Sequence, residues 1–254
     1  MQPPTFPQAH DPRALLRRWR AVARAAGLSW RVLAEVEAAT IPLLTRQQAG
    51  AAPIYLSAGV HGDEPAAAWG LLLWAERNLP SLRAGSFYIC PCLNPHGLRA
   101  NTRADWRGLD LNRRFHLDED PVCGPWRRWL SSQQAPVVGA CLHEDYDAAG
   151  CYVYELGPQR AEIGATCLRA AAAHLPVDQR RSIDGRKAHQ GVIRRSRIPQ
   201  DLPGLPEAVV LWQLGCPRTL TFETPSEAAL AVRIEAHVAF LQAMVALHQP
   251  PIPS

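Results

Sequence analysis

Residues 54–65 read IYLSAGVHGDEP, and this stretch decides the fold. Ile54–Val60 is a short apolar run broken by Gly59, and it predicts a buried strand that ends in a tight loop. Pro65 then stands where a helix tolerates proline best, in its first turn, and the helix is expected to run to Asn78. A buried strand handing over to a helix through a polar loop is the unit of an α/β sheet. In such sheets, ligands bind beyond the C-terminal ends of the strands.

Working outward, the pattern repeats. Phe87–Leu93 predicts a second buried strand, closed by Asn94-Pro95, and Val137–Leu142 a third, ending in His143-Glu144-Asp145. Cys151–Glu155 and Leu220–Glu223 predict two more. Strands are also expected over Trp30–Val36 and Ala38–Leu44. Arg13–Ala26 has Leu15, Leu16, Trp19, Val22 and Ala23 on one helical face. Pro125–Gln133 and Ala161–His174 read as helices. Ser226–Leu247 reads as a long closing helix with Leu230, Ile234, Val238, Leu241 and Val245 along one side. Residues 94–115 read as a long polar loop, and residues 1–12 and 249–254 as proline-rich loose tails. Strands alternating with helices argue for a three-layer α/β/α domain whose sheet is covered on both faces. A length of 254 residues accommodates this as a single domain, 1–254.

Composition narrows the function. The net charge is +4, and Lys187 is the only lysine, so the positive charge is almost all arginine. Arginine presents a planar fork that suits carboxylates. No basic block interleaves with aromatics, which argues against a nucleic-acid surface. The seven cysteines are odd in number, irregularly spaced and without a Cys-x-x-Cys pair, as expected in a reducing compartment. The N-terminus lacks the apolar run of a signal peptide and no 18-residue apolar stretch occurs, so the expectation is a cytoplasmic protein with no membrane partner.

Four short motifs carry chemistry. His61 and Glu64, three apart at a strand end, can reach one cation, and zinc takes both imidazole nitrogen and carboxylate oxygen. His143, at another strand end, is a natural third ligand. Two histidines and one carboxylate leave a fourth position for water, the mark of a catalytic site. In Gly108-Leu-Asp-Leu-Asn-Arg-Arg-Phe115, Asp110 can accept from the free ring nitrogen of a ligating histidine. Asn112 and Arg113 there offer donors to a substrate carboxylate. Thr221-Phe-Glu-Thr-Pro225 places Glu223 at a strand end, where a carboxylate can take a proton from water made acidic by zinc.

In order along the chain these motifs are His-x-x-Glu, Asn-Pro-His-Gly, Asn-Thr-Arg, Gly-x-Asp-x-Asn-Arg-x-Phe, His and Glu. The series resembles the zinc carboxypeptidase family in its broad sense, which includes the succinylglutamate desuccinylase and aspartoacylase branch. The resemblance spans roughly residues 50–245. It implies a mixed, mostly parallel sheet of about eight strands between helices, and one Zn2+ per chain held by His61, Glu64 and His143. By the same resemblance Asp110 supports the first histidine, and Asn112 and Arg113 bind the terminal carboxylate. Arg103 steadies the oxyanion, with Arg99 the alternative if the loop aligns with a gap. Glu223 is the general base. The implied activity is hydrolysis of an amide or peptide bond next to a free carboxylate, on a small peptide or acyl amino acid. A deacylase of N-acyl amino acids and a zinc-retaining pseudoenzyme are the alternatives.

Two departures stand out. The family's digestive members carry a lid tyrosine before the catalytic glutamate, and here no tyrosine lies between Tyr154 and Glu223. Arg186, His189 or Arg194 could stand in. The chain also lacks the extra C-terminal β-domain of the aspartoacylase branch, and its size and signatures resemble a compact bacterial-type member such as the cytoplasmic murein-peptide amidases. Specificity is expected within residues 145–205, with Tyr146, Asp147, Arg186, His189, Arg194 and Arg195 as candidates. Glu144 and Asp145 read as a polar loop rather than a second metal site. Oligomeric state is not legible.

Overall fold

The computed structural model describes residues 8–37, 39–158, 162–198 and 200–249. Asp11 caps helix α1 (Pro12–Ala26) by accepting from the N–H groups of Arg13 and Ala14, and Gly27 ends it at φ 67°. Then come β1 (Ser29–Val36), β2 (Ala39–Arg46), β3 (Ile54–Ala58), α2 (Pro65–Arg77), α3 (Leu79–Ala84), β4 (Phe87–Cys90) and α4 (Pro95–Ala100). The second half holds α5 (Cys123–Ser131), β5 (Val138–Asp145), β6 (Tyr152–Leu156), α6 (Ile163–Ala171) and the two short strands β7 (Ser182–Ile183) and β8 (Arg186–Lys187). It closes with β9 (Val192–Arg195), α7 (Glu207–Gln213), β10 (Thr219–Pro225) and α8 (Leu230–Ala246).

Eight strands form one mixed sheet in the order β1-β2-β4-β3-β5-β10-β6-β9. Its centre, β4-β3-β5-β10, is parallel throughout, as is the β6–β9 edge. The β1–β2, β2–β4 and β10–β6 pairs are antiparallel. The continuous apolar run of β3 follows from burial on both faces. Ile54, Leu56 and Ala58 join the core beneath α1, α2, α6 and α8, while Tyr55 joins the core beneath α5 and α7. The expected three-layer α/β/α arrangement is therefore observed.

Several details differ from expectation. Within residues 94–115 the chain forms α4 and a single 3-10 turn at Leu111–Arg113. The Asn94 side chain accepts from Gly97 N–H at 2.8 Å, Pro95 pre-sets the first helical φ, and Asn101 stops the helix at φ 52°. The cap signals were present, but one and a half turns show no hydrophobic period. Residues 8–12 are not loose, because the buried Ala9 carbonyl accepts from Trp69 Nε1 at 2.8 Å. Gln249 is tied to Ser81. Residues 1–7 and 250–254, and the expected strand start at Ala38 and helix start at Ala161, lie outside the described residues. Helices α3 and α7 and strand β9 were not foreseen, and α8 begins at Leu230 rather than Ser226.

Helix α2 is buried all round, from Pro65 to Ala75, between the sheet, α1 and α8. Gly70 makes the crossing with α8 possible, since a Cβ there would stand 2.5 Å from His237 Cβ. Helix propensity favours Gly70→Ala by about 1 kcal/mol, whereas forcing a methyl into this contact costs about 1–3 kcal/mol. The steric cost wins. Gly70→Ala should lower the denaturant midpoint, and Gly70→Val should lower it further. A raised midpoint for Gly70→Ala would mean the two helices can part at no cost.

Candidate metal centre

The site forms where three neighbouring parallel strands end. β3 ends at Ala58, three residues before His61. Gly59 turns the chain at φ 66°, and Gly62 lies against the Gly97 backbone so closely that a Cβ would stand 1.8 Å from its carbonyl carbon. No side chain fits there, so the His-Gly-Asp-Glu loop is pressed onto α4. Glu64 is the residue from which α2 starts. His143 lies in β5, and the parallel pairing of β5 with β10 sets Glu223 directly beside it.

These placements bring His61, Glu64 and His143 together, all three buried, with potential ligand atoms within 4.8 Å of one another. Each Nδ1 atom addresses one oxygen of Glu64, His61 at 2.5 Å and His143 at 2.9 Å. His61 Nε2 meets Asp110 Oδ1 at 3.1 Å, and Arg103 Nε donates to Asp110 Oδ2 at 3.1 Å. Arg103 also stands 3.6 Å from Glu64 Oε1. The donor set fits a divalent ion such as zinc: two imidazole nitrogens and a carboxylate converge, and a second carboxylate fixes the remote nitrogen of His61. Residue by residue, these three would hold the metal.

The electrostatics follow from crowding buried charges. Burial alone would raise the Glu64 carboxyl, but the two imidazoles overrule it and hold it well below the usual carboxylate range. Burial disfavours a charged His61 ring, yet Glu64 and Asp110 push its pKa up to about 9. The His143 pKa is likewise raised, burial being outweighed by Glu64 and Glu223. Burial pushes Glu223 up to about 8, against the pull of His143 and with help from Glu64. A carboxyl near neutrality at this point is suited to taking and returning a proton.

A cavity of about 420 Å³ opens over these groups. His61, Glu64, His143, Glu223, Arg103 and Arg113 all line it. Asn112 does not; it is buried, and its Oδ1 accepts from Glu207 N–H at 2.9 Å, which leaves Nδ2 as its free end. Arg99 is exposed on α4 and is not among the cavity-lining residues. The loop carrying Arg103 and Arg113 is braced by buried Asp105 and Asp120, which bind Arg107 and Arg114 and cap backbone N–H groups. Of the specificity candidates, Arg186 and Arg195 line the cavity, while Tyr146, Asp147, His189 and Arg194 do not. His189 and Arg194 line a separate cavity of about 680 Å³ that holds none of the ligands.

Sequence reading missed Tyr152, Tyr154, Thr219, Thr221 and Asp184, all lining the cavity that His61, Glu64 and His143 share. Alternate residues of β6 and β10 supply most of them, and strand alternation carried through to the pocket side would have found them. It also missed Arg233, a buried arginine on the largely apolar α8 whose guanidinium binds Glu144. A charged residue inside a hydrophobic helix was the available signal.

Residues 51–128 match the model of the succinylglutamate desuccinylase/aspartoacylase catalytic domain. No curated protein matches the chain by sequence. Among solved structures, a candidate metallopeptidase of Shewanella amazonensis SB2B superposes with TM-score 0.85 at 21% identity, covering 96% of this chain and 95% of that one. A metallo-carboxypeptidase from Burkholderia cenocepacia gives 0.71 at 21% identity, over 93% of this chain and 68% of that one. A metallo-carboxypeptidase from Pseudomonas aeruginosa, in complex with (2-guanidinoethylmercapto)succinic acid, gives 0.62 at 18% identity, over 91% and 68%. The resemblance to the zinc carboxypeptidase-like family is thus borne out in fold and, over residues 51–128, in sequence.

The paired ligands predict how metal uptake depends on pH. Below about pH 9 the His61 ring carries a proton that a metal ion must displace. Affinity for Zn2+ should therefore rise as pH is raised from 6 towards 9, with protons released on binding. In the metal-free protein the His61 pairing has the opposite dependence. Its contribution to stability is complete below pH 6.5 and is lost as pH rises through about 9. Calorimetric zinc titration in two buffers of different ionisation enthalpy measures the release. A pH-independent affinity with no protons liberated would contradict the arrangement.

Proposed function

We propose that this chain is a zinc-dependent hydrolase of an amide bond next to a free carboxylate, acting on a small peptide or an acyl amino acid. The observation that carries the reading is the shared cavity: three ligand candidates, a near-neutral carboxyl and four arginines, Arg103 and Arg113 among them, line one space of about 420 Å³. Zinc bound there would supply Lewis acidity, polarising the scissile carbonyl and acidifying water.

The rest falls to side chains. Arg113 takes the substrate carboxylate through its fork, while Asn112, buried outside the cavity lining, accepts Glu207 N–H instead. Binding the carboxylate at a fixed distance from the ligands selects the bond to be cut. Arg103 faces the carbonyl oxygen as it gains charge, and because Asp110 already orients its guanidinium, little reorganisation is needed. Glu223 takes a proton from water and later delivers it to the leaving nitrogen. Arg99, exposed and outside the cavity lining, does not suit the oxyanion role. Tyr152 and Tyr154, on β6 beside Glu223, are the aromatic groups placed to meet substrate. Seven free, buried cysteines accord with a reducing, cytoplasmic setting.

A deacylase of N-acyl amino acids is the second reading, favoured by the family-model match over residues 51–128. The succinic-acid ligand of the Pseudomonas aeruginosa neighbour accords with a carboxylate-bearing substrate in either case. Hydrolysis assays with zinc-loaded protein on free-carboxylate peptides, their amidated counterparts and N-acyl amino acids separate the two. Only carboxylate-bearing substrates should turn over.

Substitutions assign the roles. Glu223→Gln should retain one zinc per chain and lose nearly all turnover. His143→Ala should lose the metal. Arg103→Ala should lower kcat by about 10²–10³. Arg113→Ala should act mainly on KM. Full activity in Glu223→Gln would refute the proton-transfer assignment.

A further inference from the structure

Glu144 follows His143 directly and, like it, lines the cavity, but both of its carboxylate oxygens are engaged in a second buried cluster. Its Oε1 accepts from Ala66 N–H at 2.6 Å, and Arg233 of α8 donates to its other oxygen. Glu144 and Arg233 are both buried. Ala66 stands two residues after Glu64, in the first turn of α2, where N–H groups have no helical acceptor and the helix end favours negative charge. One turn further along α8, buried His237 meets Thr224 Oγ1 through Nε2 at 3.2 Å, and Thr224 follows Glu223. A single helix therefore grips the residue after a histidine and the residue after the base.

A buried ion pair is weak evidence for stability, since an apolar pair of similar volume often serves as well. This pair has a feature that stability does not require. It joins the chain next to His143, the chain next to Glu64 and a third element that contributes no ligand. We propose that Glu144 and Arg233 are positioning residues for the metal centre, fixing the separation of His143 from Glu64 through Ala66 N–H and α8. The inference rests on His61, Glu64 and His143 being the ligands. Arg233 does not line the cavity, and Glu144 has both oxygens committed to Ala66 N–H and Arg233, so each acts through the ligand backbone.

A control lies on the same two helices. Arg77 of α2 donates to Glu235 of α8 at 2.6 Å on the exposed side. Breaking that bridge loosens the same helix pair without touching the chain beside the ligands.

The test measures zinc affinity by competition with a chromophoric chelator, and the visible spectrum of the cobalt-substituted protein. Wild type, Glu144→Gln, Arg233→Met, Arg233→Lys and Glu235→Gln are compared, with thermal melts to establish folding. Glu144→Gln and Arg233→Met should bind zinc about 10–100-fold more weakly, the scale seen when support of a ligand is lost, with altered cobalt bands. Arg233→Lys should recover part of the affinity. Glu235→Gln should leave affinity and spectrum unchanged. If Arg233→Met does not fold, Glu144→Gln and Arg233→Lys carry the comparison. Affinities within twofold of wild type in the folded Glu144 and Arg233 variants would overturn the proposal, as would an equal loss in Glu235→Gln. A wild-type protein that binds no zinc would overturn the functional reading and this inference together. Tight wild-type binding with unaffected variants would overturn this inference alone.

Discussion

The Glu64 carboxylate accepts two imidazole nitrogens at once, and the architecture around it exists to make that tolerable. A buried charge is costly unless it is both paired and hydrogen-bonded. Glu64 meets both conditions through His61 and His143, each on its own oxygen. The partners arrive from different strands, so neither can relax without moving the sheet. The loop holding His61 is pinned by Gly62 against Gly97, and His143 is part of a strand paired on both sides.

The parallel centre of the sheet explains why the chemistry gathers at one edge. β3, β5 and β10 run in the same direction and lie side by side, so their C-terminal ends deliver His61, His143 and Glu223 to one neighbourhood. Register does the finer work. Glu223 pairs with His143 rather than with Leu142 or Glu144, so both side chains emerge on the same side of the sheet. A one-residue slip would turn Glu223 to the opposite face. The stacked rings of Phe222 and Phe240, 4.1 Å apart, and Leu220 beside them hold that register by filling the core under α8.

What was legible in the sequence, and what was not, divides along physical lines. Strands β3, β4 and β5 were legible because residues buried on both faces leave an apolar run that nothing polar interrupts. The convergence of His61, Glu64 and His143, with Asp110 and Glu223 beside them, was legible because the order of their motifs is distinctive even where each alone is common. Helix α4 was hidden because a helix begun by Asn94 and ended by Asn101 is set by caps, not by periodicity. Strand β9 was hidden because Arg194 and Arg195 end it at the sheet edge, where burial no longer dictates sequence. Arg233 and Glu144 were hidden for a deeper reason. Their meaning depends on a contact across 89 positions of chain, and no local pattern encodes which buried arginine answers which buried acid.

Asp110 shows how far one short motif can bind these levels together. Its side chain starts the single turn Leu111–Arg113 by accepting Asn112 N–H on Oδ1, the same oxygen that faces His61 Nε2. Its other oxygen holds Arg103. The carboxyl is kept ionised despite partial burial by the hydrogen bond from His61 and the charge of Arg103. The orientation of His61, the aim of Arg103 and the turn that presents Arg113 therefore share one anchor. Moving that anchor would displace His61, Arg103 and Arg113 in concert. An exposed loop could not hold three such groups by side-chain packing, because Arg103 remains 46% exposed. Charge-assisted hydrogen bonds from a single fixed carboxylate can, since their strength falls off steeply with angle and so fixes direction as well as distance.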